Sequence, residues 1–271
     1  MLQSNAMKRN ARSLPKPRRR MRNELHCRPH LLLLEDRLAP ATASLATGTL
    51  TINYASTGTT AESVKVASDG TNITISGNVT GTTSTAVANV SKITVTASGN
   101  STNQGLTIGD DTAGANTVAL TLSGGLSTTG IETVTINRSV NVTSTGTMSI
   151  TTNVAILVEA SLSTASGDMT LKANQGATAS SGKFDGIDIG DAPIGSAPIL
   201  SSTSGNISLT GRGGTDAGGD QWGVYIAPSA IVGSGTTGTV SVTGRGPPMR
   251  AWATWESVLR LAPPLFRETI H

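Results

Sequence analysis

One short phrase constrains this chain more than anything else in it. At Ser204–Gly211 (SGNISLTG) a small residue and a glycine turn the backbone, and a polar residue follows. Apolar and hydroxyl side chains then alternate, Ile207, Ser208, Leu209 and Thr210, before the next glycine. The phrase recurs at Gly48–Ile52, Gly70–Gly77, Lys92–Thr96, Gly146–Thr151, Gly167–Ala173 and Gly238–Gly244. Strict alternation over a few residues is the pattern of a β-strand with one buried face, and the glycines mark where each strand stops. A chain written this way folds into many short strands of similar length.

Composition decides between the two architectures that use such strands. Aromatic residues make up only 3% of the 271 residues, while Gly alone accounts for 31. Between residues 44 and 246 the only aromatics are Tyr54, Phe184, Trp222 and Tyr225. A β-sandwich normally closes around a few large core side chains. Thin stacked coils need only Val, Ile, Leu, Ala and Thr. The expectation is therefore an all-β fold, a right-handed parallel β-helix, in which each strand bonds to its equivalent in the coils on either side about 4.8 Å away.

One apolar marker per strand (Ile52, Ile75, Val95, Leu122, Ile136, Ile150, Leu171, Leu209, Val242) gives steps of 23, 20, 27, 14, 14, 21, 38 and 33 residues. Several fall near the roughly 20–25 residues of one solenoid repeat. The 14-residue steps suggest successive strands within one coil, and the long ones an inserted loop or a second strand such as Trp222–Ala227. Roughly nine or ten coils would fit.

Charge divides the chain into three parts. The formal net charge is +3, but residues 1–40 hold ten Lys or Arg against Glu24, Glu35 and Asp36. Residues 41–246 hold seven basic groups against twelve acidic ones, a net −5, which excludes a basic nucleic-acid surface on the body. Residues 1–43 read as a basic arm, 44–246 as the repeat domain and 247–271 as an atypical tail. Four leucines at Leu31–Leu34 are too few for a membrane span. Cys27 is the only cysteine, and His26, His30 and His271 lie outside the body. The body therefore has neither Ser-His-Asp nor Cys-His chemistry and lacks the usual zinc ligands.

In the tail, Ala251–Ala262 can form one amphipathic helix with Trp252, Trp255, Val258 and Leu259 on a face. It reads either as a cap over an open end or as a frame-shifted gene end. GRGPP breaks the repeat in mid-phrase and favours the second, and the expectation is then a fragment.

The candidate site residues are loop carboxylates: Asp185, Asp188 and Asp191 in KFDGIDIGDAP, Asp216 and Asp220 in GRGGTDAGGDQWG, with Asp110 and Asp111 after Gly109. Carboxylates on Gly-rich turns suit Ca²⁺, which takes oxygen ligands; the plainer reading is solvated loop acids. The same residues can supply a carboxylate pair for glycoside cleavage, with Trp222 and Tyr225 nearby. Arg138, Lys172 and Arg212 read as isolated, solvated charges.

Two resemblances add to this reading. LLLLEDRLAPA, after its Arg-rich leader, resembles the LEDR-x-x-P segment that opens many large surface and extracellular proteins of planctomycete bacteria, which implies export. SGDMTLKANQG, SGNISLTGRGG and GVYIAPSAIVGSGTTGTVSVTGRG resemble the strand repeats of filamentous-haemagglutinin and autotransporter-passenger surface proteins. That resemblance implies a right-handed β-helix that contacts other cell-surface or matrix components, and it carries no catalytic residues to transfer; polysaccharide is a further expected partner, and no cofactor is expected. Edge-to-edge self-association is the further expectation for open strands.

Overall fold

The repeated phrase becomes a stack of strands. A computed structural model describes residues 40–55, 61–97, 104–110, 118–190, 197–216 and 221–246. The basic arm, the tail with its expected helix, and Cys27 and all three histidines lie outside the described residues. Within them the fold is almost wholly β: twenty strands, and one 3₁₀ turn at Val87–Asn89. None of the helices among the described residues is long and apolar enough to cross a membrane.

The strands form parallel ladders. The first runs β2 (Thr49–Tyr54), β7 (Lys92–Ala97), β10 (Gly125–Ile136), β12 (Thr147–Val158), β14 (Met169–Ala173), β17 (Ile207–Arg212) and β20 (Val240–Arg245), every pair parallel. A second joins β3 (Glu62–Ser68), β8 (Gln104–Ile108), the C-terminal halves of β10 and β12, β15 (Ile187–Ile189) and β18 (Val224–Ile226). A separate sheet holds the third: β9 (Leu120–Leu122), β11 (Val140–Val142), β13 (Leu162–Thr164), β16 (Ile199–Ser202) and β19 (Ile231–Ser234). Because β10 and β12 each serve two ladders, the large sheet curls at the bulge between Thr128 and Thr133.

Alternation places one side of each ladder in the core. On the first, Leu50, Ile93, Leu126, Met148, Met169 and Ile207 stand in register, each no more than 1% exposed. Beside them run Ile52, Val95, Thr128, Ile150, Leu171 and Leu209. Thr128 interrupts that apolar row at the bulge, where its Oγ1 accepts the Thr151 N–H at 3.1 Å and so satisfies a backbone group that the irregular pairing displaces. The second ladder contributes Val64, Leu106, Val134, Ile156 and Ile187, and the third Leu120, Val140, Leu162 and Leu200. Three narrow rows of aliphatics meet in the core, and Tyr54, 2% exposed, is the one aromatic that joins them among the described residues.

The glycine of the phrase has its own role. Gly146, Gly167, Gly205 and Gly238 each precede a strand of the first ladder, one above another. A Cβ on Gly167 would overlap the carbonyl oxygen of Gly146; one on Gly205 or Gly238 would overlap the carbonyl of the glycine before it. The turns stack so closely that backbone occupies the space a side chain would take. Next to that column, the Asp168 carboxylate accepts the Asn206 N–H at 2.8 Å, and Asn206 Oδ1 accepts the Thr239 N–H at 3.0 Å. The variable position of the phrase thus ties one turn to the next.

The ladders depart from the expected repeat at the N-terminal end. Gly70–Gly77 carries the same phrase, yet it is β4 (Asn72–Gly77), which pairs antiparallel with β3 and with β6 (Ser84–Ala86). The reason is Asp69, whose Oδ1 accepts the N–H groups of Thr71 and Asn72 at 2.8 and 2.6 Å and folds a tight turn over Gly70 at φ 90°. Likewise β1 (Ala41–Ala46) returns antiparallel on β2 and takes β5 (Val79–Gly81) on its other edge. The steps through Ile75 are therefore not coil steps: Gly48 and Ser91, joined across adjacent strands, are 43 residues apart. The first ladder has seven parallel strands among the described residues, fewer than the nine or ten coils the length allows.

Two predictions follow from this packing. Gly167→Ala forces backbone to move and is expected to cost roughly 1–3 kcal/mol or more in urea unfolding, whereas Gly105→Ala, with nothing within 4 Å of its Cβ, stays within about 0.5 kcal/mol. Asp69 has its carboxyl held below the ordinary value, first by the Asn72 N–H and then by that of Thr71. Its contribution is present above the unfolded-state value and fades as pH falls through the lowered one. Asp69→Ala should flatten the acid limb of a stability–pH profile and leave its alkaline limb unchanged.

Candidate functional site

Asp185 and Asp216 lie where residues 174–186 meet residues 213–216 and 221–222. Asp185 Oδ1 accepts the Trp222 N–H at 2.6 Å. Asp216 Oδ1 accepts the Gly182 N–H at 2.9 Å, and the Asp216 carbonyl accepts Gln221 Nε2 at 2.6 Å. Gly214 N–H donates to the Phe184 carbonyl at 3.0 Å. Both carboxylates therefore spend an oxygen on lacing one loop to the other. Asp188 is elsewhere, in the middle of β15, in register with Leu157 on one side and Tyr225 on the other. Asp110 forms an ion pair with Lys65 at 3.4 Å, far from this cluster in the sequence. Asp111, Asp191 and Asp220 lie outside the described residues. Among the described residues, no three His, Cys, Asp or Glu side chains converge on a point.

Arg212 is not a solvated charge. It is half-buried, with Nε donating to the Asn174 carbonyl at 2.8 Å and Nη2 to that of Gly176. Asn174, at φ 55° and 1% exposed, answers by donating Nδ2 to the carbonyls of Arg212 and Gly213 at 3.1 and 3.2 Å. Guanidinium and amide together satisfy carbonyls left over where β14 and β17 end. Sequence reasoning missed this because an isolated arginine in a polar segment gives no sign of which carbonyls surround it.

The outward side of the first ladder is a regular surface. Thr51, Thr94, Ser127, Ser149, Thr170, Ser208 and Ser241 stand in consecutive register, a hydroxyl on every strand. All are at least partly exposed. Two residues further along the strands, Asn53, Thr96 and Thr129 continue in register, as do Lys172, Thr210 and Thr243 lower down. Adjacent strands set these groups about 4.8 Å apart along the ladder, and alternate residues set them about 6.8 Å apart along each strand. No aromatic residue stands in either row, and Lys172 is their one charge. The phrase foreshadows this face, since its polar half is nearly always Ser or Thr; the register that aligns the hydroxyls is a property of the pairing.

Against known protein families, curated proteins and solved structures, the chain finds no match.

If Asp185 serves as a lace between loops, Asp185→Ala should cost roughly 1.5–3 kcal/mol, the range for a hydrogen bond to a charged group left unmade. The urea midpoint at neutral pH measures it. Asp185→Asn, which keeps an acceptor oxygen, should recover more than half of the loss.

Proposed function

We propose that the three ladders are the walls of a right-handed parallel β-helix, and that this chain is a non-catalytic, adhesin-like segment of an exported bacterial surface protein. The single observation behind this reading is the unbroken column of seven hydroxyls on the first ladder. One hydroxyl contact made in competition with water contributes little, about 0.5–1.5 kcal/mol at most. A periodic row of them multiplies that small gain wherever the partner also repeats, because each contact after the first is intramolecular. The polymers that repeat hydroxyls at short intervals are polysaccharides of a cell surface or matrix. The net charge of −5 over residues 41–246 gives no electrostatic pull on other anions, so contact depends on this register of hydroxyls.

Retention of the purified chain on insoluble neutral polysaccharides, with matrix protein as a second arm, tests the reading. Ser149→Arg and Thr170→Arg place a bulky charge in the middle of the column and are expected to lower retention at least tenfold. Thr135→Arg, on the outward side of the second ladder, should leave it unchanged. Equal retention of all three variants, or none by the parent chain, would sink the proposal.

One arrangement favours a second reading, a carbohydrate-active enzyme: Asp188 stands beside Tyr225 on an outward face. Turnover of any polysaccharide that is lost in Asp188→Asn would establish it in place of the first.

A further inference from the structure

The N-terminal end of the second ladder buries a carboxyl group that no surface role explains. Glu62 opens β3 and Gln104 opens β8, and the two are direct partners in the parallel register. Both are almost wholly enclosed, at 2% and 1% exposed. Gln104 Nε2 donates to Glu62 Oε2 at 3.3 Å and to the Ala55 carbonyl at 3.4 Å, which uses both amide hydrogens. The Ala55 carbonyl also fixes which way the amide points, since the reversed orientation would set two oxygens against each other. Two atoms are then left over. Glu62 Oε1 and Gln104 Oε1 are both buried, both acceptors, and neither has a donor.

Leaving two acceptors unsatisfied in one buried pair is costly, because each has given up water with no donor in its place. Among the described residues, the nearby side-chain donors are committed elsewhere. Tyr54 on β2 commits its hydroxyl to the Gly105 carbonyl at 2.5 Å. Lys65, three residues along β3, pairs with Asp110. From β4 and β5 no titratable side chain reaches this point, since Asn72–Gly77 and Val79–Gly81 contain none. On β10 the nearest titratable group is Glu132, just before Thr133, the partner of Gly105. It is a carboxylate too, and so no source of a positive charge.

We propose that Glu62 carries a proton in the folded chain, that this proton joins its Oε1 to Oε1 of Gln104, and that the resulting acid–amide ring is a pH-sensitive clasp between β3 and β8. The ring has two hydrogen bonds, N–H to Oε2 and O–H to Oε1, and leaves no atom of either group unsatisfied. It matters to the fold because β3 belongs at once to the antiparallel N-terminal strands and to the parallel ladder. Loss of the proton to solvent leaves a buried carboxylate facing an amide oxygen, and the junction loosens.

The electrostatics agree in direction. Burial pushes the Glu62 carboxyl above its ordinary value, and the Gln104 amide opposes that only in part. Burial likewise raises the Tyr54 hydroxyl, against the Val64 backbone hydrogen bond, which lowers it. A raised folded-state value means that the clasp contributes in full below the unfolded-state value and is lost as pH rises through the folded one.

Carbon NMR of the full chain labelled at the glutamate carboxyl carbons tests this directly. At pH about 5 the folded protein should show a carboxyl resonance in the protonated position, where solvent-exposed glutamates have already ionised. That resonance should be missing from Glu62→Gln and present in Glu132→Gln. Glu62→Gln keeps the two-bond ring with a permanent donor, so the fall in its urea midpoint between pH about 5 and 8 should be at most half that of the parent. The proposal is overturned if every glutamate of the folded parent is ionised at pH about 5, if the protonated resonance survives in Glu62→Gln, or if the two midpoints fall in parallel. The first of these outcomes is decided on the parent alone, whether or not the variant folds.

Discussion

Parallel main-chain pairing between successive returns of the chain is the interaction on which everything else rests. Each strand of the first ladder bonds to the strand on either side, so that a residue's neighbours along the ladder come from 21 to 43 positions away. Such pairing is possible only if the turns between strands also stack. The glycines at 146, 167, 205 and 238 permit that, because each gives its side-chain space to the carbonyl of the turn before. Polar residues beside them, Asp168, Asn206 and Thr239, convert the stacked turns into a hydrogen-bonded row. Backbone pairing, glycine spacing and turn chemistry all select the same register.

That register has two products, an inside and an outside. Inside, it lines up aliphatic side chains in rows that Tyr54 alone of the described aromatics joins, which is how a chain so poor in large residues closes a core. Outside, it aligns the hydroxyls of alternate residues into columns. The proposed contact surface is therefore a by-product of the same pairing that stabilises the fold. In the third ladder the division is less sharp: the inward row passes from Leu122 and Val142 to Thr164, Ser202 and Ser234. Ser202 and Ser234 bond to turn backbone there, Ser202 Oγ accepting the Gly205 N–H and Ser234 Oγ donating to the Gly205 carbonyl, both at 2.9 Å.

The two ends of the ladders differ. At the N-terminal end, β1, β4, β5 and β6 flank the first strands, all but β5 in antiparallel pairs, and the Glu62–Gln104 pair sits where this irregular part joins the ladder. At the other end, β20 carries Val240 and Val242 only half-buried, and Ile231 in β19 is 50% exposed. A row that is fully enclosed at Ile207 and Leu209 is thus partly open one strand later.

The sequence by itself determined the class of structure, because alternation and glycine spacing are local and state directly which residues face inward. It also marked which segments repeat, and placed six of the seven phrases where one ladder uses them. It did not separate Gly70–Gly77 from the rest, although Ser68-Asp69-Gly70 is a hairpin signal, since the same alternation serves a parallel and an antiparallel neighbour equally well. Gln104 follows a stretch rich in Gly, Ser, Thr and Asn that gives no local sign of the buried strand it opens. Whether a carboxylate faces solvent, as Asp69 does, laces two loops, as Asp185 does, or is enclosed against an amide, as Glu62 is, depends on which distant residues arrive beside it. The partners of Asp185 and Glu62 lie 37 and 42 positions away in the chain, and only the pairing register brings them together.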